Sequence, residues 1–206
     1  MAPHHPSPFS DAKARPVRAP RGPELSCANW QIEAASRGLP NFKTTLDALP
    51  ALIAPESIAL FEKYGVFNER ELESRYEVRM EQYALTIAVE AKLALEIGST
   101  VILPAAVRYQ TELASNVATL KAAGVEPDTS LLEMVSDPIA TLTKALTSLR
   151  VGLGTHLESA SDEAFHSRDV LLPAMEAVRM AADTLEGVVA DDLWPLPTYQ
   201  EMLYIL

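Results

Sequence analysis

An all-α fold, an elongated antiparallel three-helix bundle with one very long kinked helix and short N-terminal helices, follows from three properties of this sequence. Apolar residues make up 48% of the chain but aromatics only 6%, with Ala and Leu dominant, a composition that favours helices over strands. Two long stretches carry apolar residues at alternating steps of three and four, the spacing of a seam along one helix face. No β-like alternation of useful length occurs anywhere. A chain of 206 residues is long enough for one domain with a real core.

The elements follow in order. Residues 1–25 hold Pro3, Pro6, Pro8, Pro16, Pro20 and Pro23 among Lys13, Arg15, Arg18 and Arg21. Prolines remove backbone donors and little here can be buried, so this is expected to be a disordered, weakly basic tail. A short helix from Cys27 to Arg37 is capped by Ser26 and ended by Gly38, and Pro40 forbids its resumption. Leu46 to Leu49 forms one more turn before Pro50. Pro55 then opens a helix that Gly65 stops.

Asn68 with Glu71 makes a capping box, so a helix starts at Glu69. No strong stop follows until Gly124, which gives about 54 residues and a length of roughly 80 Å. Pro104 deletes one intrahelical bond and predicts a kink near Thr100. The next helix carries the seam Leu132, Val135, Ile139, Leu142, Leu146, Leu149 and Leu153. Pro138 lies near its first turns, where the helix either bends or begins, and Gly152 and Gly154 weaken its far end. Asp162 is the expected cap of the last long helix. Its seam is Leu171, Met175, Val178, Ala182, Leu185 and Val189, and Pro173 inside it predicts a second kink.

Short connections around Gly124–Asp128 and Ser159–Ser161 make neighbouring helices antiparallel. The last two long helices are each about half the length of the first, so they cover only one half of it. Placed along Val101 to Leu120, they leave Leu72, Tyr76, Met80, Tyr83 and Ile87 short of cover. The helices at 27–37 and 55–64 supply part of that cover, and the remainder is expected to face another body.

Composition narrows the function. A net charge of −11 disfavours phosphate backbones and anionic membranes. One cysteine, Cys27, forms no internal disulfide and has no basic neighbour to activate it, so the chain reads as cytoplasmic. Residues 1–25 lack the apolar core of a secretory signal. The stretch Ala84 to Val107 is interrupted by Glu90, Lys92 and Glu96 and reads as a buried helix, not a membrane span.

A search for chemistry assigns no catalytic, cofactor-binding or metal-ligating residue. Glu163-x-x-His166 has the spacing of di-iron bundles, but no second such pair exists, and His166 reads as a surface histidine. His4 and His5 lack carboxylate or thiolate company. His156 falls on the seam after Leu153, either as a buried hydrogen-bonded histidine or as the place where the bundle ends. Arg168 also falls on a seam and needs a carboxylate partner; a structural ion pair is expected. Asp191 and Asp192 point in different directions and suit a solvated helix end. Gly152-x-Gly154 lacks the third glycine and lysine of a phosphate loop. Trp194-Pro195-Leu196-Pro197-Thr198-Tyr199 suits an aromatic–proline clamp against the bundle or a neighbouring subunit.

Four separate stretches, in order, carry a family resemblance. They are Arg37-Gly38-Leu39-Pro40-Asn41 leading into Leu46–Leu52; Leu60–Phe67 leading into Glu71–Glu77; Arg168–Met175; and Asp191–Tyr199. From Trp30 to Leu206 the chain resembles the C-terminal helical region of type III glutamine synthetase. His166 and Ser167 depart from the family pattern, which is usually aromatic there. The resemblance does not cover residues 1–29; with the Pro/Arg-rich tail read above over 1–25, it leaves a helical domain over 26–206 similar to that family. It also implies a structural and subunit-contact role, with the catalytic domain or neighbouring subunits as partners and a homo-oligomer as a further option. ATP and Mg or Mn are implied for the full-length family, but no position here matches a catalytic motif, so none is carried over. The abrupt change near Trp30 suggests a truncated product without ligase activity. The alternatives are a free-standing helical adaptor or oligomerisation module and, more remotely, a di-metal bundle enzyme.

Overall fold

The computed structural model describes residues 27–197 and 199–203, with side chains over 30–197 and 201–203. All the elements among these residues are helical. By packing, the chain divides into two compact units, Met1–Lys43 and Thr44–Leu206. In the first, α1 (Cys27–Ser36) ends as expected: Gly38 takes φ +71° and the Leu39 N–H donates back to Ala34 O at 3.0 Å. Glu33 and Arg37 pair across one turn of α1. Ser26, the expected cap, lies outside the described residues, as do the tail with His4 and His5 and the side chain of Cys27.

The second unit opens with α2 (Thr45–Ala48), capped by the Thr44 hydroxyl, and a 3-10 turn over Leu49–Ile53 that takes in Pro50. Then come α3 (Pro55–Lys63) and α4 (Glu69–Ile97). The capping box forms: Glu71 N donates to Asn68 Oδ1 at 3.0 Å, and Asn68 N to Glu71 Oε2 at 2.9 Å. A π turn over Gly98–Ile102 joins α4 to α5 (Leu103–Ala122), so the helix runs from Glu69 to Ala122 with its defect where Pro104 predicted one.

The cause is local. Pro104 has no N–H, and in a regular helix its ring would press on the Thr100 carbonyl. Widening the turn moves the register, so that Leu103 N–H donates to Gly98 O, five residues back. Ser99 and Thr100 donate their hydroxyls to Leu95 O and Glu96 O, both at 2.7 Å, along the same stretch.

After α6 (Ser130–Leu153), the last helix repeats the device. It runs as α7 (Ala160–His166), a π turn over Ser167–Leu171, and α8 (Leu172–Glu186). Leu172 N–H donates to Ser167 O just ahead of Pro173, and the Ser167 hydroxyl donates to Glu163 O. Pro138, by contrast, lies within α6, which starts eight residues before it. The cap of α7 differs from expectation. Ser159 is the N-cap, accepting from Asp162 N at 3.0 Å, and Asp162 is the third helical residue whose carboxylate accepts from the Ser159 hydroxyl. The serine wins because its short side chain sits one turn ahead of the free N–H groups.

Both seams face inward, with Leu132, Ile139, Leu153 and Met175 half-buried and their other members buried. Val135, Leu142, Leu149 and Leu185 are sealed from solvent, and one cluster joins the last three with Ile87, Ala91, Ile102, Ala106, Leu171 and Val178. α6 lies along α5 and α8. The last helix does not lie along Val101–Leu120: α7 and its π turn pack on α4, and α8 packs on α6 and α4. This corrects the expected gap. Leu72 and Met80 are fully buried, Ile87 is buried, and Tyr76 and Tyr83 are half-buried. Their cover is internal: Met80 and Ala84 pack with Leu46 and with Ala164 of α7, whose small side chain permits close approach. The apolar residues of α4 that remain exposed lie on another face: Val78, Leu85, Val89 and Leu93.

Candidate functional site

The most concentrated charge cluster is built around Arg168, in the second π turn. Its Nε and Nη2 donate to the two carboxylate oxygens of Asp169 at 2.7 and 3.1 Å, and its Nη1 donates to Asp47 Oδ1 at 3.2 Å. The guanidinium also lies 5.0 Å from the centre of the Phe165 ring. The hydrogen bonds with Asp169 raise the Arg168 pKa and lower that of Asp169. Tyr83 nearby is raised, chiefly by burial. The expected ion pair is therefore present, and one partner, Asp47, stands 121 positions away. One cation facing two carboxylates leaves the trio net negative, which is unsuited to a phosphate. Its role is a latch between the 45–53 segment and the last helix.

His166 is half-buried rather than a free surface residue. Its Nε2 lies 2.9 Å from Gly152 O. A carbonyl can only accept, so Nε2 carries the proton in this contact and the ring caps the end of α6. His156 is exposed just past that end, so the bundle-end alternative holds. Gly152 is buried within α6 and Gly154 ends it; a Cβ on Gly152 would lie 3.0 Å from Leu171 Cδ2. Among the described residues no three His, Cys, Asp or Glu converge to hold a metal ion, and Glu163 and His166 find no such company. Asp191 and Asp192 are exposed in a 3-10 turn.

Trp194 is half-buried against the end of the main core. Its Nε1 is buried with no hydrogen-bond partner among the described residues. Of the expected aromatic–proline clamp, Trp194 alone packs on the core, while Pro195, Leu196 and Pro197 are exposed; Thr198 and the Tyr199 side chain lie outside the described residues.

Two surface grooves are open and mainly apolar. One of about 570 Å³ runs between Ile97–Ile102 and Met175–Asp183, with Arg179 and Asp183 paired at 3.5 Å on its rim. Another, of about 520 Å³, separates α5 from α6, where Gln110 Nε2 donates to Ser136 Oγ at 2.8 Å. Neither gathers the convergent ionisable groups of a catalytic centre. No helix among the described residues is long and apolar enough to cross a membrane.

Residues 26–121 match the family described as glutamine synthetase C-terminal domain. A glutamine synthetase of Bacteroides fragilis (strain YCH46) is 30% identical over 186 residues, which is 85% of this chain and 25% of the relative. One from Butyrivibrio fibrisolvens is 32% identical over 188 residues, 86% of this chain and 26% of the relative. A type-3 glutamine synthetase of Dictyostelium discoideum is 30% identical over 187 residues, 86% of this chain and 25% of the relative. The chain spans about a quarter of the length of these relatives. Over residues 26–121 it therefore matches the glutamine synthetase C-terminal domain, and it is similar to glutamine synthetases through most of its own length.

Proposed function

We propose that this chain is the helical C-terminal domain of a type III glutamine synthetase, serving shape and subunit contact rather than catalysis in a cytoplasmic enzyme. One observation carries the reading: the likeness takes in 85% of this chain but only 25% of the relative it matches. The type-3 name of the Dictyostelium relative supports the subclass. The domain spans residues 26–206, behind a Pro/Arg-rich tail. Its partners are the catalytic part of the enzyme and neighbouring subunits.

Joining ammonia to glutamate through a phosphorylated intermediate calls for divalent cations on carboxylates and histidine, and for arginines on the moving phosphate. The described residues do not fit those groups. No three metal-ligating side chains converge, and Arg168 is held by two carboxylates. No step of the ligase reaction is assigned to this chain, and ATP with Mg or Mn belongs to the catalytic part. A coupled assay on the purified chain with glutamate, ammonia, ATP and Mg is expected to show no glutamine above background. Robust turnover would overturn the reading.

A further inference from the structure

We infer that the uncovered face of α4 is a docking surface for a second copy of this chain, packed antiparallel. The face is apolar but for Gln82: Val78, Leu85, Val89 and Leu93 are 48%, 58%, 64% and 55% exposed. With Gln82 between the first two, the steps are four, three, four and four, a seam like those buried elsewhere in the bundle. It lies opposite the buried stripe of Met80, Ala84, Ile87 and Ala91, so the fold itself has no use for it.

The flanks of the seam identify the occupant. At about 100° per residue, Glu81 and Lys92 fall on one side of it and Arg79 and Glu90 on the other, at the positions that carry charge pairs between paired helices. All four are exposed, and none takes part in an ion pair among the described residues. Each flank thus holds one charge of each sign. In an antiparallel pair the same flank meets itself reversed, which sets Glu81 against the second copy's Lys92 and Arg79 against its Glu90, while Val78 meets Leu93. A parallel pair also joins opposite signs, Glu81 with Arg79 and Lys92 with Glu90. Opposed helix dipoles favour the antiparallel direction.

The seam covers residues 78–93, about 24 Å of helix, and falls short of the ~800 Å² per partner of a standard stable interface. The dimer is therefore concentration-dependent. This inference gives the subunit-contact reading above a surface and a partner. Its test does not involve glutamine formation, so either can fail alone.

The test is sedimentation velocity of the purified full chain from low to high micromolar concentration. The expected result is a monomer–dimer equilibrium abolished by L85E/V89E, with helical circular dichroism unchanged because both side chains face solvent. R79E is expected to weaken the dimer about tenfold, since two symmetric pairs become repulsive. Adding Glu90→Arg to R79E is expected to restore it, a rescue that loss of folding cannot mimic. Mixed Val78→Cys and Leu93→Cys chains should cross-link with each other. A chain that stays monomeric throughout, a dimer that survives L85E/V89E, a charge swap that fails to rescue, or cross-linking of Val78→Cys only to itself would each overturn the proposal.

Discussion

Met80 and Val78 stand two positions apart on α4, yet one is sealed and the other is half open to solvent. Met80→Ala is expected to cost about 2–5 kcal/mol in urea unfolding, because it leaves a cavity between α4, Leu46 and Ala164. Val78→Ala should change stability by no more than about 0.5 kcal/mol. The apolar stripe containing Met80 was plain in the sequence. Its cover was not, because Ala164 gives no hydrophobic signal and Leu46 lies in a helix of four residues. Arg168 shows the same limit. Its place on a seam announced a carboxylate partner, but nothing local could identify Asp47. The pair also predicts an acid response. The Asp169 pKa is lowered in the folded chain, so its contribution is present above its unfolded value of about 3.9 and is lost as pH falls through the folded value. Asp169→Asn should therefore be less stable than the parent at neutral pH, and the difference should close in acid melts.

At the scale of elements, the prolines were the most legible letters in the chain. Pro104 and Pro173 each announced a defect, and each is preceded by a π turn ending two residues before it. Pro138 announced a bend or a start, and α6 runs through it. The glycines were legible only in part. Gly38, Gly65 and Gly124 end helices with positive φ as the pattern implied. Gly98 and Gly152 instead mark places where helices touch, which a single sequence does not distinguish from weak helical positions. A Cβ on Gly98 would lie 2.7 Å from Leu146 Cδ2, inside the core. Replacing glycine ordinarily strengthens a helix by up to about 1 kcal/mol. Here overpacking wins: Gly98→Val is expected to lose about 1–3 kcal/mol, read as a lower urea midpoint with an unchanged slope.

Across the whole molecule, the all-α class and the sequence of long helices followed from composition and spacing, but their mutual placement did not. A seam states that a helix face will be buried without saying by which neighbour. The last helix passes from α4 onto α6 because its π turn falls between its two halves. The candidate site followed the same rule: the need of Arg168 for a carboxylate was readable, whereas the latch onto Asp47 depends on tertiary contact. The two π turns have one more consequence. Gly98 meets Leu146 and Val178, and Gly152 meets Leu171, so each bend is seated against a fixed point of a neighbouring rod. Such notches gauge the rods. Seven alanines inserted between Leu146 and Gly152 would preserve the heptad phase yet carry one notch about 10 Å past its seat, and thermal melting should become broad and low. The same insertion at the Gly124–Asp128 tip should melt as the parent does. Length is negotiable at the tips of the bundle and fixed between its bends.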